Sequence, residues 1–169
     1  MSGIYVHIPF CRSRCIYCGF YSTTRLGLRA RYIDALCREM ELRKDYLHGT
    51  FATVYIGGGT PSQLGAPLLR RLLDHIYKVY TVESDAEVTV ECNPDDVTPA
   101  LASELASMPV NRVSMGVQTF SDERLRFLHR RHTAAQAAAA VENLRHAGIT
   151  NISIDLMFGF PGQTMTQWQ

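Results

Sequence analysis

The sequence has no run of eighteen apolar residues, and its first ten, Met1 to Phe10, hold neither a basic stretch nor a long hydrophobic one. No membrane-spanning helix or secretory leader is expected, and the cytoplasm is the default location. No run of five like charges occurs either, and 17 Lys and Arg against 16 Asp and Glu leave a net charge of +1. That balance argues against a nucleic-acid or anionic-membrane partner and favours a small molecule or a neutral surface. Internal repeats, low-complexity tracts and Pro/Ser linkers are also missing, so no domain boundary is drawn. With 169 residues, 46% hydrophobic and 20% charged, the chain has the make-up of one ordinary domain.

Cysteine is scarce: five residues, too few and too unevenly placed for a secreted disulfide framework. Cys11, Cys15 and Cys18 are clustered, which reads as metal ligation in a reducing compartment. Cys37 and Cys92 stand alone and fall on apolar faces, so both are expected in the core.

Strand and helix patterns alternate five times. Ile4 to Ile8 alternates with period two and is closed by Pro9. Between Leu28 and Leu47, Ile33, Leu36, Cys37 and Met40 mark one face of a helix. Phe51 to Ile56 is a second strand running into Gly57-Gly58-Gly59, and Pro67 opens a helix carrying Leu69, Leu72, Leu73 and Ile76. Val88, Val90 and Cys92 face one way along a third strand, with Glu87, Thr89 and Glu91 opposite. Thr98-Pro99 starts a short helix that stops before Pro109. Arg112 to Val117 is a fourth strand, Ser121 and Thr133 cap two further helices, Gly148 fits the end of the second, and Ile152 to Leu156 is a fifth strand. Gln163 to Gln169 resembles the start of another helix, so the chain is expected to be a fragment.

Such alternation implies βαβ units with right-handed crossovers: an α/β fold in which about five units build a partial TIM barrel of parallel strands. Sites in these folds lie at the carboxyl ends of the strands. There this sequence places the cysteine loop, the triple glycine, Glu91, Gln118 and Asp155. Asp155 lies between Ile154 and Leu156 in an apolar strand, so it is expected to face the barrel interior and to need a partner.

Cys-x₃-Cys-x₂-Cys in a tight loop can wrap one compact metal centre. A structural zinc would take a fourth ligand, for which His7 is a candidate; a [4Fe–4S] cluster held by three thiolates would leave one iron open. Gly57-Gly58-Gly59-Thr60-Pro61 lacks the Gly-Lys-Ser/Thr ending of a P-loop but offers bare backbone to a ligand.

Taken together, Tyr5-Val6-His7-Ile8-Pro9-Phe10-Cys11, Cys15-Ile16-Tyr17-Cys18, Gly57-Gly58-Gly59-Thr60-Pro61-Ser62, Met115-Gly116-Val117-Gln118-Thr119-Phe120 and Ile154-Asp155-Leu156-Met157-Phe158-Gly159-Phe160-Pro161-Gly162 resemble the radical S-adenosylmethionine (SAM) enzymes. Within these they resemble the oxygen-independent coproporphyrinogen III oxidase family, most closely its haem chaperone branch. The resemblance implies a (βα)6-type barrel truncated after about five units. Residues 1–169 would form the radical SAM core domain, with the sixth strand and the C-terminal domain missing and an unpaired edge left after the fifth strand.

It also implies that Cys11, Cys15 and Cys18 hold a [4Fe–4S] cluster whose fourth iron is chelated by S-adenosyl-L-methionine, and that one electron cleaves the sulfonium. By position, a first bound cofactor carries onto Tyr5, Gly58 and Glu91, and a second onto Tyr17, Gly59, Thr60, Gln118, Arg130 and Asp155. Arg131, next in the His129-Arg130-Arg131-His132 cluster, has a solvated helix-end cation as its plain alternative. The family's oxidases carry a fourth cysteine where Phe20 stands here, and a longer segment before the first strand; both departures point to the chaperone branch. The implied partners are haem or a porphyrinogen, an electron donor and a haem-accepting protein. Catalytic residues and oligomeric state are not implied.

Overall fold

Valine and isoleucine at alternate strand positions give each strand one apolar face, and five such strands assemble into a single sheet with that face turned outward. The computed structural model describes residues 2–168. The strands β1 (Ser2–Ile8), β2 (Thr50–Gly58), β3 (Thr81–Cys92), β4 (Arg112–Gln118) and β5 (Asn151–Leu156) pair in parallel in their sequence order. Between them run α1 (Arg29–Arg43), α2 (Ala66–Val79), α3 (Pro99–Ala106), α4 (Asp122–Phe127) and α5 (Ala134–His146), and α6 (Met165–Trp168) follows β5. The parallel α/β architecture expected of a partial barrel is therefore present. Among the described residues no helix is long and apolar enough to cross a membrane.

Register sorts the side chains into layers. Val6, Ile56, Val90, Val113 and Ile152 stand side by side across the five strands, and the first four are buried beneath the helices. One residue earlier, on the other face, Tyr5, Tyr55, Thr89 and Arg112 form a row, and one residue later Glu91, Ser114 and Ser153 form another. The concave face is thus polar and the convex face apolar, because side chains alternate with period two.

On the convex face α2 buries Leu69, Leu72, Leu73 and Ile76 completely, one stripe at helical spacing. Each such side chain stabilises the fold by roughly 1.5 to 3 kcal/mol. Cys37 and Cys92 lie in this core, and burial pushes the Cys92 thiol well up. Thr98, Ser121 and Thr133 accept the expected capping bonds, and Thr133 forms a full capping box with Gln136.

Two expectations are corrected. The helix expected over 28–47 ends at Arg43, because its buried stripe ends at Met40 and Leu42, Tyr46 and Leu47 find no surface to pack on. β3 begins at Thr81, well before its apolar alternation, because Thr81 and Val82 pair with Thr50 and Phe51. Thr89 stands on the face opposite Val88 and Val90, as expected, and is fully buried there, donating to Glu87 and accepting from Arg112. The helix expected at the end is present as α6, while Gln169 lies outside the described residues. β5 forms one edge of the sheet, β1 the other, and Ile154 and Leu156 are exposed on β5.

Candidate functional site

All the residues carried over by position except Tyr5 line one open cleft of about 210 Å³ at the carboxyl ends of the strands. The loop after β1 supplies the three cysteines. It leaves the sheet as an extended segment tied down by Cys11 N–H to Thr23 O at 2.9 Å and Thr23 N–H to Pro9 O at 2.7 Å. Cys11 is buried, Cys15 and Cys18 are half-buried, and none of the three is disulfide-bonded. Burial raises the Cys11 thiol pKa, an effect opposed by the hydroxyl of Thr60.

Each glycine of the triple makes room for a different neighbour. A Cβ on Gly57 would lie 2.7 Å from the Tyr55 ring and 3.1 Å from the Glu91 carboxyl. One on Gly58 would meet the His7 ring at 2.7 Å, and its φ of +118° already favours glycine. One on Gly59 would sit 2.9 Å from Cys11 Sγ. Backbone thus presses against Glu91 and Cys11, which line the cleft, and against Tyr55 and His7 beside it.

Glu91 is held from two sides: Tyr55 donates its hydroxyl to Oε1 at 2.7 Å, and Gly58 donates its N–H to Oε2 at 3.0 Å. Burial, and then the neighbouring carboxylate, push the Tyr55 phenol up to about 12. Tyr5 stays outside this pair. It is 59% exposed, stacks on Tyr55 at 6.1 Å between ring centroids and donates to His7 Nδ1 at 3.0 Å. His7 Nε2 lies 2.9 Å from Tyr21 O, a carbonyl that can only accept, so the proton is on Nε2 and both ring nitrogens are engaged. The zinc alternative with His7 as fourth ligand therefore loses that ligand. Among the described residues no three His, Cys, Asp or Glu side chains are gathered around one ion-sized point.

Arg130 reaches the cleft from the loop between α4 and α5. Its Nη2 donates to Gly116 O and to Asn93 Oδ1, and its Nη1 donates to Cys15 Sγ at 3.6 Å. Its Nε is buried without a partner. Arg131 is not the solvated cation of the plain alternative: it pairs with Asp95 at 2.7 Å and Asp96 at 3.2 Å. Asp96 also accepts from Ser62 and Gln63, which locks this loop to the turn after the glycines. Next to it His132 donates Nε2–H to Val117 O at 3.1 Å, and burial together with Arg130 lowers its pKa to about 4.

Tyr17 lies in the cleft wall, its phenol pushed up to about 12 by burial. Gln118 and His129 hold positive φ of 69° and 58° without being glycine, so backbone strain sits at the cleft rim. Asp155 departs from expectation. It points to the concave side, but it is exposed and has no hydrogen-bond partner among the described residues, because β5 is an edge strand. Phe20 lines the same cleft at 66% exposure.

Sequence reasoning missed Tyr55, Asn93 and the Asp95–Asp96–Arg131 clamp. Tyr55 had a readable signal, since it stands two residues before Gly57 on the inner face of β2; the clamp joins two loops far apart in sequence and had none.

The donor set fits an iron–sulfur cluster and a cofactor that carries a carboxylate. Three thiols open onto one cavity, a glycine is packed against one of them, and a guanidinium beside them has an unsatisfied donor.

The sequence pattern of the Radical SAM superfamily matches residues 5–169. The chain is 43% identical to the heme chaperone HemW of Lactococcus lactis over 165 residues, which span 97% of this chain and 43% of that protein. It is 35% identical to the heme chaperone HemW of Escherichia coli, over 98% of this chain and 44% of that one. Among solved structures, the coproporphyrinogen III oxidase HemN of Escherichia coli, a radical SAM enzyme, superposes with a TM-score of 0.90 at 32% identity, covering 98% of this chain and 39% of that one. The chain thus spans less than half the length of these relatives.

Proposed function

The chain belongs to the Radical SAM superfamily, and we propose that it is the cluster- and S-adenosylmethionine-binding part of a haem chaperone of the HemW kind. Membership implies a [4Fe–4S] cluster and S-adenosylmethionine. The observation that carries the reading is the meeting of Cys11, Cys15 and Cys18 with the Gly58–Glu91 pair in one cleft.

In this reading Cys11, Cys15 and Cys18 hold the cluster. Tyr5, Gly58 and Glu91 face one bound S-adenosylmethionine, and Tyr17, Gly59, Thr60, Gln118, Arg130 and Asp155 a second. Cluster and cofactor, when bound, supply one-electron chemistry. Glu91 offers its remaining lone pairs to ribose hydroxyls, its two oxygens already oriented by Tyr55 and Gly58. Asp155 offers a second carboxylate from the edge strand. Phe20, without a thiol, shields the cysteine loop from water. The cytoplasm, haem as cargo, an electron donor and a haem-accepting protein complete the proposal.

The second reading, an oxygen-independent coproporphyrinogen III oxidase, is favoured by the superposition on HemN. One anaerobic experiment on the full-length protein separates them: incubation with reductant, S-adenosylmethionine and coproporphyrinogen III, run beside a haem titration. Haem binding without protoporphyrinogen is expected; steady protoporphyrinogen formation without haem binding would make it the oxidase.

A further inference from the structure

Two side chains of the cleft aim donors at cysteine sulfurs. Thr60, only 4% exposed, donates its hydroxyl to Cys11 Sγ at 3.5 Å, and Arg130 donates Nη1 to Cys15 Sγ at 3.6 Å. No side-chain donor reaches Cys18 Sγ among the described residues, so the three sulfurs are not equivalent.

Neither donor is free to swing away. Thr60 sits between the backbone packed on Cys11 at Gly59 and the turn Pro61–Leu64. Arg130 is fixed by Gly116 O and Asn93 Oδ1 on its other terminal nitrogen, and the neighbouring Arg131 anchors the loop to Asp95 and Asp96. Those carboxylates are taken by Arg131, and among the described residues none lies within ion-pair distance of Arg130. A half-buried guanidinium without a counter-charge is costly. An anionic sulfur beside it supplies that counter-charge.

We infer that Thr60 and Arg130 act on the cluster itself, as hydrogen-bond donors to two of its three cysteine sulfurs that raise its reduction potential. The inference rests on the reading that Cys11, Cys15 and Cys18 hold a [4Fe–4S] cluster. Reduction takes the core from 2+ to 1+, so the core with three thiolates goes from one net negative charge to two, with no bond or proton changing place. A hydrogen bond to sulfur, and still more a fixed cation, favours the more negative state. This effect needs no S-adenosylmethionine, which separates it from a role in binding that cofactor.

The test is a redox titration of the anaerobically reconstituted protein, with dithionite as electron source, mediators present and S-adenosylmethionine withheld. The reduced cluster is followed by electron paramagnetic resonance. Arg130→Gln is expected to change the oxidised-to-reduced ratio at fixed potential about tenfold towards oxidised, 59 mV for a one-electron couple. Thr60→Val should change it about threefold in the same direction, with Thr60→Ser restoring the parent value and Arg130→Lys lying in between. Iron should stay at about four per chain throughout. Thr60→Val is isosteric with the parent, so it decides the matter if Arg130→Gln loses iron. Four irons with an unshifted potential in Thr60→Val and in whichever Arg130 variant keeps its iron would overturn the inference alone. A parent protein that takes up no cluster would overturn the reading beneath it, and the inference with it.

Discussion

Tyr55 and Glu91 face each other across adjacent strands, phenol to carboxylate at 2.7 Å, and the bond orients Glu91 from the side opposite Gly58. Tyr55→Phe removes one donor and leaves the ring stacked on Tyr5. S-adenosylmethionine binding, measured by calorimetry on reconstituted protein, should weaken about five- to tenfold, the size of one hydrogen bond near 1 kcal/mol. An unchanged affinity would mean that Gly58 alone positions the carboxylate.

Glu91→Ala and Asp155→Ala should part company on stability. Removing Glu91 strands the Tyr55 hydroxyl and the Gly58 N–H, so the melting temperature should fall along with cofactor affinity. Among the described residues Asp155 has no partner to strand, so its loss should leave melting unchanged while affinity falls roughly tenfold. Equal melting losses would contradict the exposed edge position of Asp155.

Gly57→Ala is expected to destabilise the fold by about 1 to 3 kcal/mol, because its Cβ would stand 2.7 Å from the Tyr55 ring and 3.1 Å from the Glu91 carboxyl. Combining it with Tyr55→Leu should recover part of that loss. Additive losses in denaturant titrations would show that the clash lies elsewhere.

His132 gives stability a pH dependence with a definite sign. Burial, and then the charges of Arg130 and Arg131, outweigh the opposing Asp122, so His132 protonates near 4 in the folded protein and near 6.5 unfolded. The unfolded chain therefore binds the proton first, and stability held above pH 6.5 drains away as pH falls towards 4, by on the order of 3 kcal/mol at most. His132→Gln should flatten that part of the curve in denaturant midpoints measured from pH 7 to 5.

Thiol alkylation of the cluster-free protein should follow burial. Cys15 and Cys18 should react first, Cys11 and Cys37 more slowly, and Cys92 only on unfolding. Mass spectrometry of timed samples reads the order, and early labelling of Cys92 would contradict its place in the core.

Much of the fold was legible because local chemistry and tertiary position agree. Thr98, Ser121 and Thr133 are good caps in isolation and cap in the structure, and Leu69, Leu72, Leu73 and Ile76 form a stripe at any register. The burial of Thr89 was not legible, because it depends on what stands across the strand, here Arg112. The cleft was legible at the cysteines and glycines, whose spacing is local. Its second layer was not: the Arg131 clamp joins residues from two loops, and no sequence period links them. Asp155 was placed on the right face, but its exposure follows from β5 lying at the edge.

The Arg130 to Cys15 contact spans 115 positions of sequence. In a chain made from its N-terminus, the cysteine loop leaves the ribosome long before β4 and the loop that carries Arg130. A cluster inserted at that moment would sit in a half-walled groove without its cationic neighbour. Metal loading of this protein is accordingly expected to follow synthesis rather than accompany it.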